Sequence, residues 1–347
     1  MELIKPNKLN LGDTVATISL SWGGPSIFKN RYDIGVQQLE QTFGVKVVPM
    51  SHTLKDNEWL YNHPKERAQD FMNAFLDPEI KAIISTIGGD ETIRLLPYID
   101  FDVIKNNPKI FMGYSDTTAN HFMCMHAGLS SFYGPSIMSG FGENGGLHKL
   151  LKTSVHKTLF DTKPIGKIEP SPDGWTNEML DWGNPENQNI KRKLNPSKWH
   201  FLQGKEKVQG KLIGGCMEVL EMMKGTSIWP SIDVFKGAIL FFESCSKDAL
   251  PEIFGYWLRN YCATGIFEVV NGIIFGRPGG TGLTQKDFDY YDNTISTVLK
   301  EYGLQDVPVI TQMDFGHTDP MFILPYGVKA EIDPVSQTFS IIENTVS

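Results

Sequence analysis

Along the first half of the chain, short apolar runs alternate with stretches whose apolar residues recur at helical spacing. TVATISL, Thr14 to Leu20, reads as a strand and ends in the turn residues SWGGP. A helical stretch near Asn30 to Phe43 follows, then the strand VKVVPM. ERAQDFMNAFLDPEI predicts a helix with Phe71, Phe75 and Ile80 on or near one face. KAIISTIGGDETIRLL predicts a strand, a Gly-Gly turn and a helix, and KIFMGYSDTTANHFMCMHAG repeats that order. Strands alternating with helices predict an α/β fold on a parallel sheet, where ligands gather at the carboxyl ends of the strands. Gly88-Gly89 and Ser115 both fall at such ends.

The pattern breaks between residues 166 and 205, which are rich in Pro, Asn, Gly and charge yet hold Trp175, Trp182 and Trp199. A long structureless loop in a compact protein is often a lid or binding loop. The tryptophans serve equally well to pin such a loop to the surface. Beyond it the alternation resumes. GKLIGGCMEVLEMMKGT and GAILFFESCSKDALPEIFGYWLRNY each predict strand, turn and helix. EVVNGIIFGRPGG and VPVITQMDFGHTDP predict strands on either side of the helix LTQKDFDYYDNTISTVLKEYG. The tail alternates like two antiparallel strands around Asp333-Pro334. A chain of 347 residues suits two domains. The expected division is residues 1–165, a connecting or substrate loop at 166–205, and residues 206–347.

Charge narrows the functional classes. A net charge of -8 argues against a nucleic-acid partner, which requires a basic surface, and mildly against anionic membranes. The N-terminus has no apolar signal-peptide core, and no apolar run is long enough to span a bilayer. Cys124, Cys216, Cys245 and Cys262 form no CxxC and no zinc pattern. Their even number permits disulfides, but reduced, buried thiols fit a chain this long without a leader. A cytoplasmic protein is expected. No sequence cluster of His, Cys, Asp and Glu has metal-ligand spacing, so neither a catalytic metal nor a cofactor is expected.

Ser115, in GYSDTT, follows a strand and precedes a helix, as a nucleophile on a strained turn would. It lacks the second glycine of G-x-S-x-G, and Ser115 or Asp116 would equally serve as a helix cap. A nucleophilic serine needs a base. His52, His63, His148, His156 and His200 lie in polar, exposed-looking surroundings. His121 and His126 lie on the helix that runs away from Ser115, His121 already roughly 9 Å along it at 1.5 Å per residue. His317 follows the strand VPVITQMDF at its carboxyl end, where it is a candidate base or a solvated loop residue. Glu243 ends the apolar strand GAILFFE and is the candidate to orient His317. The Gly88-Gly89 turn has three readings: an anion cradle, an oxyanion donor, or a turn that needs glycine. Cys216, in GGCMEVL, is a competing nucleophile that would take His317 for itself.

Together IISTIGGDETIRLLPYID, FMGYSDTT, GKLIGGCMEVL, AILFFES and DFGHT resemble the LD-carboxypeptidase family of serine peptidases, in order and over nearly the whole chain. The resemblance implies an N-terminal α/β domain like class I glutamine amidotransferases, a smaller C-terminal domain, and a cytoplasmic homodimer. It implies a triad of Ser115, Glu243 and His317, with oxyanion donors at the backbone of Gly88 and Asp116. One branch of the family trims D-alanine from muropeptide tetrapeptides. The other, the microcin C self-immunity branch, cleaves aminoacyl-nucleotide conjugates and carries a longer aromatic loop and a lysine after the triad glutamate. The tryptophan loop and Lys247 match the second branch. On that match Trp182, with Trp175 second, would stack on a base, and Lys247 would pair with a substrate carboxylate.

Overall fold

The computed structural model describes residues 2–245 and 251–347. Among the described residues the strands, in chain order, are β1 (Thr14–Ile18), β2 (Lys46–Pro49), β3 (Ile80–Ser85), β4 (Ile110–Gly113), β5 (Phe132–Tyr133), β6 (Gly166–Ile168) and β7 (His200–Gln203). They continue with β8 (Val208–Cys216), β9 (Ile239–Glu243), β10 (Gly272–Gly276), β11 (Val309–Met313), β12 (Leu324–Pro325), β13 (Lys329–Asp333) and β14 (Thr338–Ile341).

The result is a mixed α/β fold with two sheets. The first has the order β12-β5-β4-β3-β1-β2, parallel throughout except for the β12–β5 edge. The second has the order β6-β14-β13-β8-β9-β10-β11-β7. Its four central strands, β8 to β11, are parallel and its flanks antiparallel. Every residue of β4, β9, β10 and β11 is buried. Strands covered on both faces read as unbroken apolar runs, which is what IFMG, GIIFG and, up to its closing glutamate, ILFFE are. One buried cluster joins the sheets, with Phe111 and Tyr133 of the first, and Phe122 of the helix Thr118–His126, packed into the same core as Phe241, Ile274 and Ile310 of the second. Among the described residues, no helix is long and apolar enough to cross a membrane.

Four local expectations change. Phe71 and Phe75 are buried on the helix Pro64–Leu76, but Ile80 lies beyond it as the first residue of β3. The segment after Gly88-Gly89 forms a 3-10 helix, Thr92–Tyr98, with Pro97 inside it, where an α-helix would set the proline ring against the carbonyl four residues back. Gly214-Gly215 is not a turn. It lies within β8, where a β-carbon on Gly214 would fall 1.7 Å from the Phe241 carbonyl oxygen of the neighbouring strand.

The 166–205 segment is not structureless. It supplies both edges of the second sheet, β6 against β14 and β7 against β11, with a 3-10 turn at Pro185–Asn189 between them.

Candidate active site

Ser115 stands two residues past β4 with φ 62°. A non-glycine residue in the left-handed region costs on the order of 1–3 kcal/mol unless its surroundings hold it there. They do. The Ser115 N–H donates to the Tyr133 hydroxyl at 3.1 Å, and the Thr118 hydroxyl donates to the Ser115 carbonyl at 2.7 Å. The His121 ring, buried among Phe111, Tyr133 and Tyr326, bridges the Gly113 carbonyl (2.9 Å) and the Ser131 hydroxyl (2.9 Å). Burial pushes its pKa down to about 3, so the ring is a neutral brace under the turn.

Asp116 is buried and caps no helix of its own. Its Oδ2 accepts the N–H groups of Glu91 (3.0 Å) and Thr92 (2.8 Å) and the Thr92 hydroxyl (2.6 Å). This ties the serine turn to the Gly88-Gly89 turn. A β-carbon at Gly88 would lie 2.9 Å from Ser115 Cβ, 3.0 Å from Ser115 Oγ and 3.4 Å from the Asp116 nitrogen. Among the described residues, neither the Gly88 nor the Asp116 N–H has an acceptor. Both turns therefore offer N–H groups beside the Ser115 oxygen.

The second sheet supplies the other two groups. Glu243 ends β9 and His317 lies four residues beyond β11. His317 Nδ1 is 2.6 Å from Glu243 Oε2, and its Nε2 is 3.0 Å from Ser115 Oγ. A carboxylate only accepts, so the Nδ1 proton points to Glu243 and the neutral ring presents Nε2 to the serine hydroxyl. The other carboxylate oxygen, Oε1, accepts from the Tyr133 hydroxyl. Glu243 is 1% exposed. Burial opposes charge on the His317 ring, but the charge and hydrogen bond of Glu243 outweigh it and push the pKa up to about 9. Gly316, with φ 92°, lets the chain pass directly over Glu243, where a β-carbon would lie 2.7 Å from Oε2.

The 166–205 segment is anchored to the loop that carries His317. Asp314, fully buried, pairs with Arg277 and accepts from the Ser171 N–H (2.9 Å), the Ser197 hydroxyl (2.8 Å) and Trp199 Nε1 (2.8 Å). Thr176 and Asp319 exchange backbone hydrogen bonds, and Arg192 bridges Glu143 and Asp319. Two of the three tryptophans are absorbed by this packing. Trp199 is buried through Asp314. Trp175 is 7% exposed, with its ring against Phe288 and under the Arg277 guanidinium. Trp182 is half-buried, edge-on to Phe28, with the Arg31 guanidinium 4.8 Å from its ring. Lys247 lies outside the described residues.

The fold thus gathers Ser115, Glu243, His317, Gly88 and Asp116, and leaves Cys216 off the turn. Cys216 is fully buried with φ -70°, at the end of a strand rather than on a strained elbow, and burial raises its thiol pKa well above the ordinary value. Of the histidines expected to be exposed, only His156 is; His52 pairs with Asp70, His63 stacks on Trp59, and His200 meets Asp292. Sequence reading missed Tyr133 and Asp314. Asp314 had a signal, a carboxylate closing the buried strand VPVITQMD. Tyr133 had little, since β5 is two residues long.

Residues 15–134 match the LD-carboxypeptidase N-terminal domain and residues 209–332 the LD-carboxypeptidase C-terminal domain. The chain belongs to the LD-carboxypeptidase family. It is a serine-peptidase-like hydrolase. Within the family it is 34% identical to the microcin C7 self-immunity protein MccF of Escherichia coli, over 98% of this chain and 96% of that one. Its fold superposes on MccF in complex with aspartyl sulfamoyl adenosine with a TM-score of 0.86 and 32% identity, covering 99% of this chain and 100% of the other. An MccF-like protein from Streptococcus pneumoniae in complex with AMP gives a TM-score of 0.82 at 32% identity, over 95% and 98% of the two chains.

Proposed function

We propose that the protein hydrolyses the amide bond of aminoacyl-nucleotide conjugates such as processed microcin C, with Ser115 as nucleophile. The observation that carries the chemistry is the chain Ser115 Oγ, His317, Glu243, at 3.0 and 2.6 Å, beside two N–H groups with no acceptor among the described residues. In this reading Ser115 attacks the carbonyl while His317 Nε2 takes its proton and later delivers it to the leaving amine. Glu243 fixes the tautomer and stabilises the imidazolium. The N–H groups of Gly88 and Asp116 receive the oxyanion.

The substrate class rests on the relatives, solved with aspartyl sulfamoyl adenosine and AMP, and on the half-buried Trp182. Its ring is the stacking platform in this reading; Trp175 and Trp199 are held in packing. The family resemblance carries with it two domains and a cytoplasmic homodimer. The second reading, removal of terminal D-alanine from muropeptide tetrapeptides, is favoured by the family's LD-carboxypeptidase domains themselves.

Two assays separate the readings. Wild type should cleave an aspartyl- or glutamyl-sulfamoyl adenosine, and Ser115→Ala should abolish turnover without loss of fold. Cleavage of the tetrapeptide alone would transfer the assignment to the second reading. Turnover by Ser115→Ala within tenfold of wild type would remove Ser115 as nucleophile.

A further inference from the structure

Neighbouring strands β8 and β9 end in a cluster that the hydrolytic chemistry does not use. Cys216 closes β8, Glu218 is the second residue of the helix Met217–Met223, and Cys245 lies two residues past β9. One ligand atom from each, two sulfurs and a carboxylate oxygen, lie within 4.8 Å of one another. Glu218 is held in place for this arrangement. Its Oε1 accepts from the Ser244 hydroxyl (2.7 Å) and the Cys245 N–H (3.0 Å), and its Oε2 from the Cys216 thiol (3.1 Å). Cys216 also belongs to a second group with Glu243 and His317, again with ligand atoms within 4.8 Å of one another.

We propose that Cys216, Cys245 and Glu218 bind a thiophilic divalent cation of the Zn2+ class, and that its binding switches off the Ser115 centre. Two sulfurs and one oxygen suit zinc or cadmium and disfavour magnesium or calcium. Tetrahedral zinc with bonds of about 2.0–2.3 Å spaces its ligands by roughly 3.3–3.8 Å, so small side-chain rotations close the cluster around an ion. On binding, the two S–H bonds break and two metal–sulfur bonds form. Both protons go to solvent, and Glu218 gives its Oε2 to the ion while Oε1 keeps its donors. The net charge of the cluster is unchanged, so inhibition does not arise from field alone. It arises from the fourth ligand position. The donors next to Cys216 are Glu243 and His317, and recruiting either one breaks the hydrogen bonds that connect it to Ser115.

The test uses the reduced, metal-free full chain. Cadmium serves as the spectroscopic probe, through its thiolate charge-transfer absorbance, and zinc as the inhibitor. The band should saturate at one ion per chain whatever substrate the enzyme proves to cleave, so this arm stands apart from the proposed function. Zinc should abolish turnover, and a chelator should restore it. Cys245→Ser and Cys216→Ser should each lose the band, retain metal-free turnover and need at least about tenfold more zinc for inhibition. Cys245 is only half-buried, so its variant keeps the test intact where Cys216→Ser folds poorly. Absence of the band at one equivalent, a band without inhibition, or wild-type zinc sensitivity in both variants would each overturn the proposal.

Discussion

The Tyr133 hydroxyl donates to the buried Glu243 carboxylate and so links the last residue of β5 in one sheet to the last residue of β9 in the other. The same oxygen accepts the Ser115 N–H. One phenol therefore fixes both the elbow that carries the serine and the carboxylate that orients His317. Tyr133→Phe keeps the ring and removes both bonds, leaving a buried N–H and a buried carboxylate oxygen short of partners. Each such loss costs about 1–3 kcal/mol. The variant should melt at a lower temperature and lose turnover through kcat, with KM nearly unchanged. A wild-type kcat would show that the elbow and Glu243 do not depend on this bridge.

The pH profile follows from His317. In the proposed mechanism only its neutral ring can take the serine proton, and Glu243 raises its pKa from the ordinary 6.5 to about 9. Activity, read as kcat/KM, should rise with pH through an inflection well above the usual histidine range. Stability runs the other way. A folded-state pKa above the unfolded value contributes stability that is complete below about pH 6.5 and is lost as the pH rises through about 9. Glu243→Gln removes the charge that raises the pKa, so the inflection should move down. It should also cost on the order of 10³- to 10⁴-fold in kcat through loss of the tautomer constraint. An inflection that stays in place in Glu243→Gln would assign the titration to another group.

Gly88 predicts a steric effect with no change in charge. A methyl group there would occupy the space between Ser115 Oγ and the Asp116 N–H, where the oxyanion would sit in the proposed mechanism. Gly88→Ala should therefore cut kcat by on the order of 10²-fold or more while leaving the fold cooperative. Binding of an unreactive nucleotide such as AMP should persist in the variant, and loss of both binding and folding would point to a structural defect.

The sequence marked the candidate site because a parallel sheet collects its polar strand-end residues at one edge. Ser115, Glu243 and His317 each close or follow an apolar run that periodicity alone can find. What it could not carry was contact between distant segments. Tyr133 sits on a two-residue strand with no pattern to mark it, and its meaning comes from Ser115 and from Glu243, the latter 110 positions away. Asp116 looked like a local cap because capping is the usual use of such a residue, yet its carboxylate serves the N–H groups of Glu91 and Thr92. Cys216 looked like an elbow because two glycines precede it. Those glycines instead let β8 lie close against β9. Composition marked residues 166–205 as loop, because short edge strands with few apolar residues leave no alternating signal.

The tryptophans of that segment should separate cleanly on substitution. Trp182 keeps an accessible ring, steadied by Phe28 and Arg31, whereas Trp175 is buried against Phe288 and Arg277. A base stacked on an aromatic ring gains about 1–3 kcal/mol, or roughly 5- to 150-fold in affinity. Trp182→Ala should weaken binding of AMP or an aminoacyl-sulfamoyl adenosine by that factor, with little change in melting temperature and little effect on a muropeptide. Trp175→Ala should cost about 3–5 kcal/mol of stability through the cavity it leaves, and lose activity only as far as the His317 loop loosens with it. Calorimetric titration and thermal melts on the two variants read both effects. A Trp182→Ala protein that binds AMP as tightly as wild type would take the nucleobase off this face.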